Sequence, residues 1–272
     1  MLCTLLNKAN KAITMYVADT VHCSTLDGQE KSIGKHSDDL CQNGFNRIVS
    51  FGYAENDQHN LPKSRSSKNI SVLGLGHMGT VSAIGFAALG HKVIGIDHDQ
   101  CKVNALNQGR TYSKESGLQQ LLTRVARFNN LVATGDSFNA IRRTDVTLIC
   151  IGNSVDKNDE LDSVALMTAC EQLGAIIKNK SSFHTFVWCH SISIKISLQT
   201  MIAKIENNAL KRAGKDFGFC TVQRALSKQQ AIEDFYHPKQ LIIGSFEKKS
   251  ADLCSEIFND FETKVRHIKL YY

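Results

Sequence analysis

The sequence predicts an α/β chain, a doubly wound and mainly parallel sheet with helices on both faces. Three observations carry that expectation. From Asn69 onward, short apolar runs alternate with helix-periodic segments, the pitch of strand, helix and strand that builds a parallel sheet covered on both sides. A glycine-rich turn, Gly74-Leu75-Gly76-His77-Met78-Gly79, joins the first such run directly to the first helical segment. The chain has 272 residues, 42% hydrophobic and 21% charged, enough for one large domain or two small ones with a buried core.

Residues 1–68 have a different texture. Basic and acidic residues nearly balance there, long apolar runs are few, and the polar stretch Glu55 to Lys68, with Pro62, reads as a linker. This segment is expected to be a poorly structured N-terminal extension, with a helix over Leu5 to Val17 and a short strand over Asn46 to Tyr53 as its candidates for order. Residues 69–272 form the expected Rossmann-like domain. Its first strand is Ile70 to Leu73, followed by a helix over Met78 to Leu89 with small residues on one face and a second strand over Lys92 to Ile96. Further strands are expected at Val146 to Ile151, Thr185 to Cys189, Leu241 to Ile243 and Lys264 to Leu270. The clearest helix runs from Asp162 to Lys178. Leu166, Ala169, Cys170, Leu173, Ile176 and Ile177 recur there at helical spacing, with Asp162 placed as N-cap.

Composition narrows the function classes. The net charge of +6 is spread along the chain, whereas a nucleic-acid binder clusters its basic residues on one face; no nucleic-acid partner is expected. Nine cysteines, scattered and without a C-x-x-C pair, fit free thiols in a reducing compartment better than a disulfide framework or a metal site. The apolar start Met1 to Leu6 is too short for a signal peptide, and no run approaches the ~18 residues of a membrane span. The expectation is a cytoplasmic protein without a membrane partner. Prolines number only 2, where about fourteen are usual for this length.

The strongest motif is the glycine turn in its strand-to-helix context. Gly74 permits the tight turn, Gly76 lets the backbone approach a pyrophosphate, and Gly79 lets the helix lie close on the strand. The phosphates would sit at the helix N-terminus, where unpaired N–H groups and the macrodipole favour an anion. Asp97, at the end of the second strand, supplies the carboxylate that accepts from ribose hydroxyls and repels a 2′-phosphate, so NAD is expected rather than NADP.

Several blocks extend the pattern beyond the turn: N-I-S-V-L-G-L-G-H-M-G, G-H-K-V-I-G-I-D, K-V-N-A-L-N-Q-G ending at Gly109, E-S-G-L-Q-Q-L-L at Glu115 to Leu122, T-D-V-T-L-I-C-I-G at Thr144 to Gly152, E-L-D at Glu160 to Asp162 and A-I-E-D-F at Ala231 to Phe235. In order and spacing, from Asn69 to about Leu270, the chain resembles the N-terminal part of the nucleotide-sugar 6-dehydrogenases, the GDP-mannose branch most closely and the UDP-glucose branch next. The 3-hydroxyisobutyrate-type dehydrogenases also use G-L-G-x-M-G, but that likeness leaves the later blocks unexplained.

The resemblance implies a reaction in which two NAD molecules in succession oxidise the sugar C6 alcohol to a carboxylate through a cysteine thioester. It implies cofactor roles for His77, Met78, Asp97 and Lys102. Where the family reads G-T-P, this chain has Gly152-Asn153-Ser154, which puts Asn153 at a cofactor position. Where it reads S-T-V-L-P-G-T, this chain has His190 to Ile196, and Ser191 keeps a hydroxyl able to orient a water or the nicotinamide. The family's N-P-E-F-L corresponds to Val222-Gln223-Arg224-Ala225-Leu226. Arg224 thus replaces a glutamate acid/base, and arginine does not act as a base near neutrality. Prolines of the family pattern are replaced at Ser116, Ser154, Ile194 and Gln223.

The family's central helix, nucleophilic cysteine and nucleotide-sugar domain would follow Tyr272. The expected function is therefore the NAD-binding part of a nucleotide-sugar dehydrogenase, catalytically impaired, with a non-catalytic NAD-binding remnant or a 3-hydroxyacid dehydrogenase as alternatives. A nucleotide sugar is a partner by family only. The last strand is expected to leave apolar surface bare, favouring self-association or association with a full-length relative.

Other polar residues have plainer readings. His184, Cys189 and His190 do not converge on a metal by strand alternation. Lys204, Lys211, Arg212 and Lys215 suit a solvated face and a helix C-terminus. Cys150, Phe217 and Phe235 read as core.

Overall fold

A computed structural model of the chain describes residues 67–151, 163–190, 198–224, 226–227, 230–259, 261 and 265–270. The candidate helix Leu5 to Val17, the strand Asn46 to Tyr53 and the N-cap Asp162 lie outside the described residues. Eight strands are described, β1 (Asn69–Leu73), β2 (Lys92–Ile96), β3 (Leu131–Thr134), β4 (Val146–Ile149), β5 (Thr185–His190), β6 (Gly218–Gln223), β7 (Leu241–Ser245) and β8 (Val265–Lys269). They form one sheet in the order β3-β2-β1-β4-β5-β6-β7-β8. Every neighbouring pair is parallel except β6 with β7. The first six strands have the 3-2-1-4-5-6 order of dinucleotide-binding folds, in which ligands gather outside the carboxyl ends of the strands where the order reverses, between β1 and β4.

The strands expected from apolar runs are present, with ends shifted by a residue or two. β3, β6 and the reversal at β7 are additions. The continuous buried pattern of β1, β2, β4 and β6 follows from helices on both faces, which leave no solvent side for polar alternation. One face carries α1 (His77–Ala88), α2 (Gln100–Asn107), α3 (Leu118–Ala126), α7 (Ala231–Tyr236) and α8 (Lys248–Ile257); the other carries α4 (Ser137–Arg142), α5 (Ser163–Lys178) and α6 (Leu198–Ala209). All six apolar positions expected on the inner stripe of α5 are buried. α1 is buried all round except at His77, as a central helix must be. Phe86 on it packs edge-to-face against Phe235 and Phe258, at centroid distances of 5.1 and 5.3 Å.

Polar groups close the helix ends. Asp99 and Asp136 cap α2 and α4 by accepting from the Cys101 and Asn139 N–H groups at 2.9 and 3.0 Å. The ammonium of Lys180, buried between α5 and β5, donates to the carbonyls of Ile141, Arg142 and Thr144 at the C-terminal end of α4; burial pushes it below its ordinary value. Lys211 does the same for Ile177 and Lys180, while Lys204 pairs with Glu171 and Arg212 with Glu206. His184 is fully buried, bonded to Thr147 Oγ1 at 2.7 Å and to the Thr144 carbonyl at 3.0 Å. Burial lowers its pKa to about 3, so the imidazole is a neutral strut. Among the described residues, no group of three or more His, Cys, Asp or Glu can hold a metal, and no helix is long and apolar enough to cross a membrane. β8 is an edge strand whose exposed side chains are Arg266, His267, Ile268 and Lys269, a mixed rather than an apolar strip.

Candidate functional site

The glycine turn lies at the carboxyl end of β1, where β1 separates β2 from β4. Gly74 has φ +94°, a conformation that disfavours any side chain, and its N–H donates to the Ile96 carbonyl at 2.8 Å. A Cβ on Gly79 would overlap the Gly74 carbonyl and stand 3.3 Å from the Cys150 Cβ, so turn and helix touch backbone to backbone. Gly76 behaves differently: it is the N-cap of α1, makes no side-chain cap, and a Cβ built on it meets nothing within 4 Å among the described residues. The first turn of α1 therefore opens its N–H groups onto free space, the cradle that a pyrophosphate fills.

Asp97 joins this cradle to β2. It is 6% exposed. Its Oδ2 accepts from the Leu75 N–H at 2.6 Å and its Oδ1 from the Asp99 N–H at 2.9 Å. Lys102, on α2, places its ammonium 3.5 Å from Oδ2. These three bonds use three of the carboxylate's roughly four lone-pair sites, leaving one on Oδ1, so the group is oriented yet still able to accept from a ribose hydroxyl. The cradle and the carboxylate together fit a dinucleotide. When bound, NAD supplies a hydride acceptor; the residues here supply its anchorage.

His77 opens α1, with its Nδ1 3.5 Å from Glu115 Oε1 and its Nε2 buried without a hydrogen-bond partner among the described residues. Glu115 also accepts from the Ala231 N–H at 3.2 Å, tying the turn to α7. Met78 points into the core and is 7% exposed, leaving its backbone as the part that faces the turn. Gly74, Gly76, His77, Met78, Gly79, Asp97 and Lys102 are thus gathered at one place. Asn153 and Ser191, expected nearby, lie outside the described residues. Reasoning from sequence missed the Glu115 link: the E-S-G-L block marked the residue, but no local pattern indicates which helix a distant carboxylate will touch.

Arg224 lies apart from the cradle. It follows β6, is 1% exposed, and donates through Nη2 to Ser82 Oγ on α1 at 2.6 Å. Its guanidinium carbon is 4.8 Å from the Phe235 ring centroid and 5.6 Å from that of Phe258. The chain therefore has, just past β6, a cation folded inward among aromatic rings.

The comparisons with known proteins agree with this geometry. The family model described as "UDP-glucose/GDP-mannose dehydrogenase family, NAD binding domain" matches residues 68–262. GDP-mannose 6-dehydrogenase of Pseudomonas aeruginosa is 35% identical over 196 residues, covering 72% of this chain and 45% of that protein. The crystal structure of a ternary complex of the GDP-mannose dehydrogenase from Pseudomonas aeruginosa superposes with a TM-score of 0.69 at 34% identity, over 74% of this chain and 46% of that one. A UDP-glucose dehydrogenase from Pyrobaculum islandicum gives a TM-score of 0.69 at 26% identity, over 77% and 48%. The chain spans somewhat under half the length of the curated relatives it matches.

Proposed function

The chain belongs to the UDP-glucose/GDP-mannose dehydrogenase family through its NAD-binding domain, and on that premise we propose that it holds NAD at the Gly74–Gly79 turn and Asp97 without itself turning over a nucleotide sugar. The observation that carries the reading is the 2.6 Å bond from the Leu75 N–H to Asp97 Oδ2, which fixes a carboxylate beside an open helix N-terminus. That carboxylate selects ribose hydroxyls and repels a 2′-phosphate. His77 and Lys102 border the same space, and Asn153 and Ser191 complete the cofactor set by family position. Catalysis is the other half of the proposal. Arg224 stands where the family pattern has a glutamate, remains charged near neutrality and faces the core, so this position offers no acid/base to a GDP-mannose or UDP-glucose alcohol.

The exposed edge of β8 is where a second copy or a full-length relative would pair, and the reading places the protein in the cytoplasm. Calorimetric titration of the purified chain tests the binding half. Saturable NAD binding, tighter than NADP and weakened about ten- to a hundredfold by Asp97→Ala, is expected from the loss of a charged acceptor worth about 1.5–3 kcal/mol. Equal affinity for NAD and NADP, or an unaffected Asp97→Ala variant, would refute it. NADH formation with either nucleotide sugar would overturn the catalytic half alone.

A further inference from the structure

The core beside Arg224 is built from thiols. Cys150 follows β4, Cys189 lies in β5, Cys220 in β6 and Cys254 in α8; all four are reduced or unbridged and buried. Among the described residues, Cys150, Cys189 and Cys254 lie around the guanidinium together with the Ser82 hydroxyl of α1 and the faces of Phe235 and Phe258. Among the described residues its Nε and Nη1 are buried without a hydrogen-bond partner, and it makes no ion pair to a carboxylate. An uncompensated buried charge costs several kcal/mol, and arginine does not relieve that cost by losing its proton. The groups beside it that can supply an anion, among the described residues, are the neighbouring thiols.

Strand register selects which one. Ile149 of β4 pairs with Trp188 of β5, so the next positions, Cys150 and Cys189, stand side by side on adjacent parallel strands. Strand spacing of about 4.8 Å lies inside the Cα window of about 4.4–6.8 Å that a disulfide requires. The two thiols hydrogen-bond each other, and that bond together with Arg224 pulls Cys189 below the ordinary thiol value against the effect of burial. Cys150, the partner in that bond and buried, is pushed well up; while protonated, Cys189 donates to the Val187 carbonyl at 3.9 Å. Cys254 is pushed well up by burial and by its bond with Cys220, so Cys254 keeps its proton.

We propose that Cys189 and Cys150 form an oxidisable dithiol in which Cys189, beside Arg224, is the attacking thiolate and a small hydroperoxide is the oxidant. The site is sealed, with Cys150 at 5% exposure and Cys189 at 0%, which excludes a protein thiol as the reactant and leaves a molecule of peroxide size. The Cys189 thiolate attacks one peroxide oxygen; the S–O bond forms, the O–O bond breaks, and the hydroxide released is protonated to water. Cys150 then loses its proton and attacks the sulfenic sulfur; the S–S bond forms, the S–O bond breaks, and a second hydroxide leaves as water. The two thiols give up two electrons and two protons, and hydrogen peroxide takes them to become two waters. The Cys150 Cβ lies 3.3 Å from where a Gly79 Cβ would stand, so the bridge would form directly beneath the cofactor turn.

The test treats the reduced full chain with hydrogen peroxide and reads intact mass and cysteine-containing peptides. The expected result is a loss of two hydrogens and a Cys150–Cys189 linked peptide, formed ~tenfold or more slowly in Arg224→Gln, since a cation nearby moves a pKa by about a unit or more, and at the normal rate in Cys254→Ser. Circular dichroism checks that each variant is folded. Should Arg224→Gln fail to fold, thiolate absorbance near 240 nm that rises in the unmutated folded chain at lower pH than in the urea-unfolded chain, and is absent in Cys189→Ser, is the expected second readout. A Cys220–Cys254 bridge, no intramolecular bridge, an Arg224→Gln rate equal to the unmutated chain, or a thiolate that rises no earlier than in the unfolded chain would each overturn the proposal.

Discussion

Two neighbouring stretches of the sheet's carboxyl rim have been treated differently. At β1 and β2 the rim is open: Gly76 faces free space and Asp97, though 6% exposed, keeps acceptor capacity beyond its bonds to the Leu75 and Asp99 N–H groups. From β4 to β6 the rim is sealed, with Cys150, Cys189 and Arg224 each 5% exposed or less. In the first stretch polar atoms are satisfied and still available to a ligand. In the second, among the described residues, a charge is enclosed with one hydrogen bond, to Ser82. The helix-terminus cradle depends on backbone, whereas the character of the sealed stretch depends on single side chains, so substitutions act on the two by different routes.

The two stretches meet at Gly79, so a substitution there has the largest expected effect. Gly79→Ala forces a methyl into the Gly74 carbonyl and against Cys150. The obstruction is main chain, which yields less easily than a side chain, and a loss of about 3 kcal/mol or more in urea-monitored stability is expected. A loss below 0.5 kcal/mol would mean that turn and helix are not in contact. Gly76→Ala sharpens the contrast. Its φ of −71° suits alanine and the added Cβ meets nothing, so stability should stay within about 0.5 kcal/mol. NAD affinity, by contrast, should fall at least ~tenfold, or 1.4 kcal/mol, because the methyl occupies the phosphate space. Unchanged affinity in Gly76→Ala would move the cofactor away from this helix N-terminus.

Which features the sequence disclosed follows the same division. The glycine turn, Asp97, β1, α1, β2, β4, α5 and β5 were legible because their signals are local: a run, a period, a turn residue of fixed offset. The run Gly218 to Gln223 is as apolar as β5, yet its partner β7 runs antiparallel, a choice made by packing between distant segments. Arg224 was legible as a departure from a glutamate and illegible as a buried group. Nothing in Val222-Gln223-Arg224 indicates that Ser82, more than a hundred residues earlier, will receive the guanidinium, or that Phe235 and Phe258 will lie beneath it. Burial of a charge is a tertiary outcome, and local propensity carries no trace of it.

The smallest expected effect is the one that separates two accounts of the sealed stretch. Replacing a buried charge by an apolar side chain of similar length is often neutral or stabilising, and Arg224→Met keeps the stem that packs on Phe235 while removing the unpartnered Nε and Nη1. If the guanidinium had only neutral neighbours, the gain would be the same at every pH. Cys189, however, has its pKa pulled down in the folded chain by the bond with Cys150 and by Arg224, and a depressed folded pKa contributes stability above the unfolded thiol value that is lost as pH falls through the folded one. The arginine is therefore compensated at high pH and uncompensated at low pH. Arg224→Met should gain about 1 kcal/mol at pH 6 and progressively less toward pH 9, where the variant forfeits the thiolate pair. Urea midpoints of both chains across that range measure the slope. A flat difference would show that the sealed stretch holds an isolated cation, and a gain that grows with pH would contradict the guanidinium–thiolate pair outright.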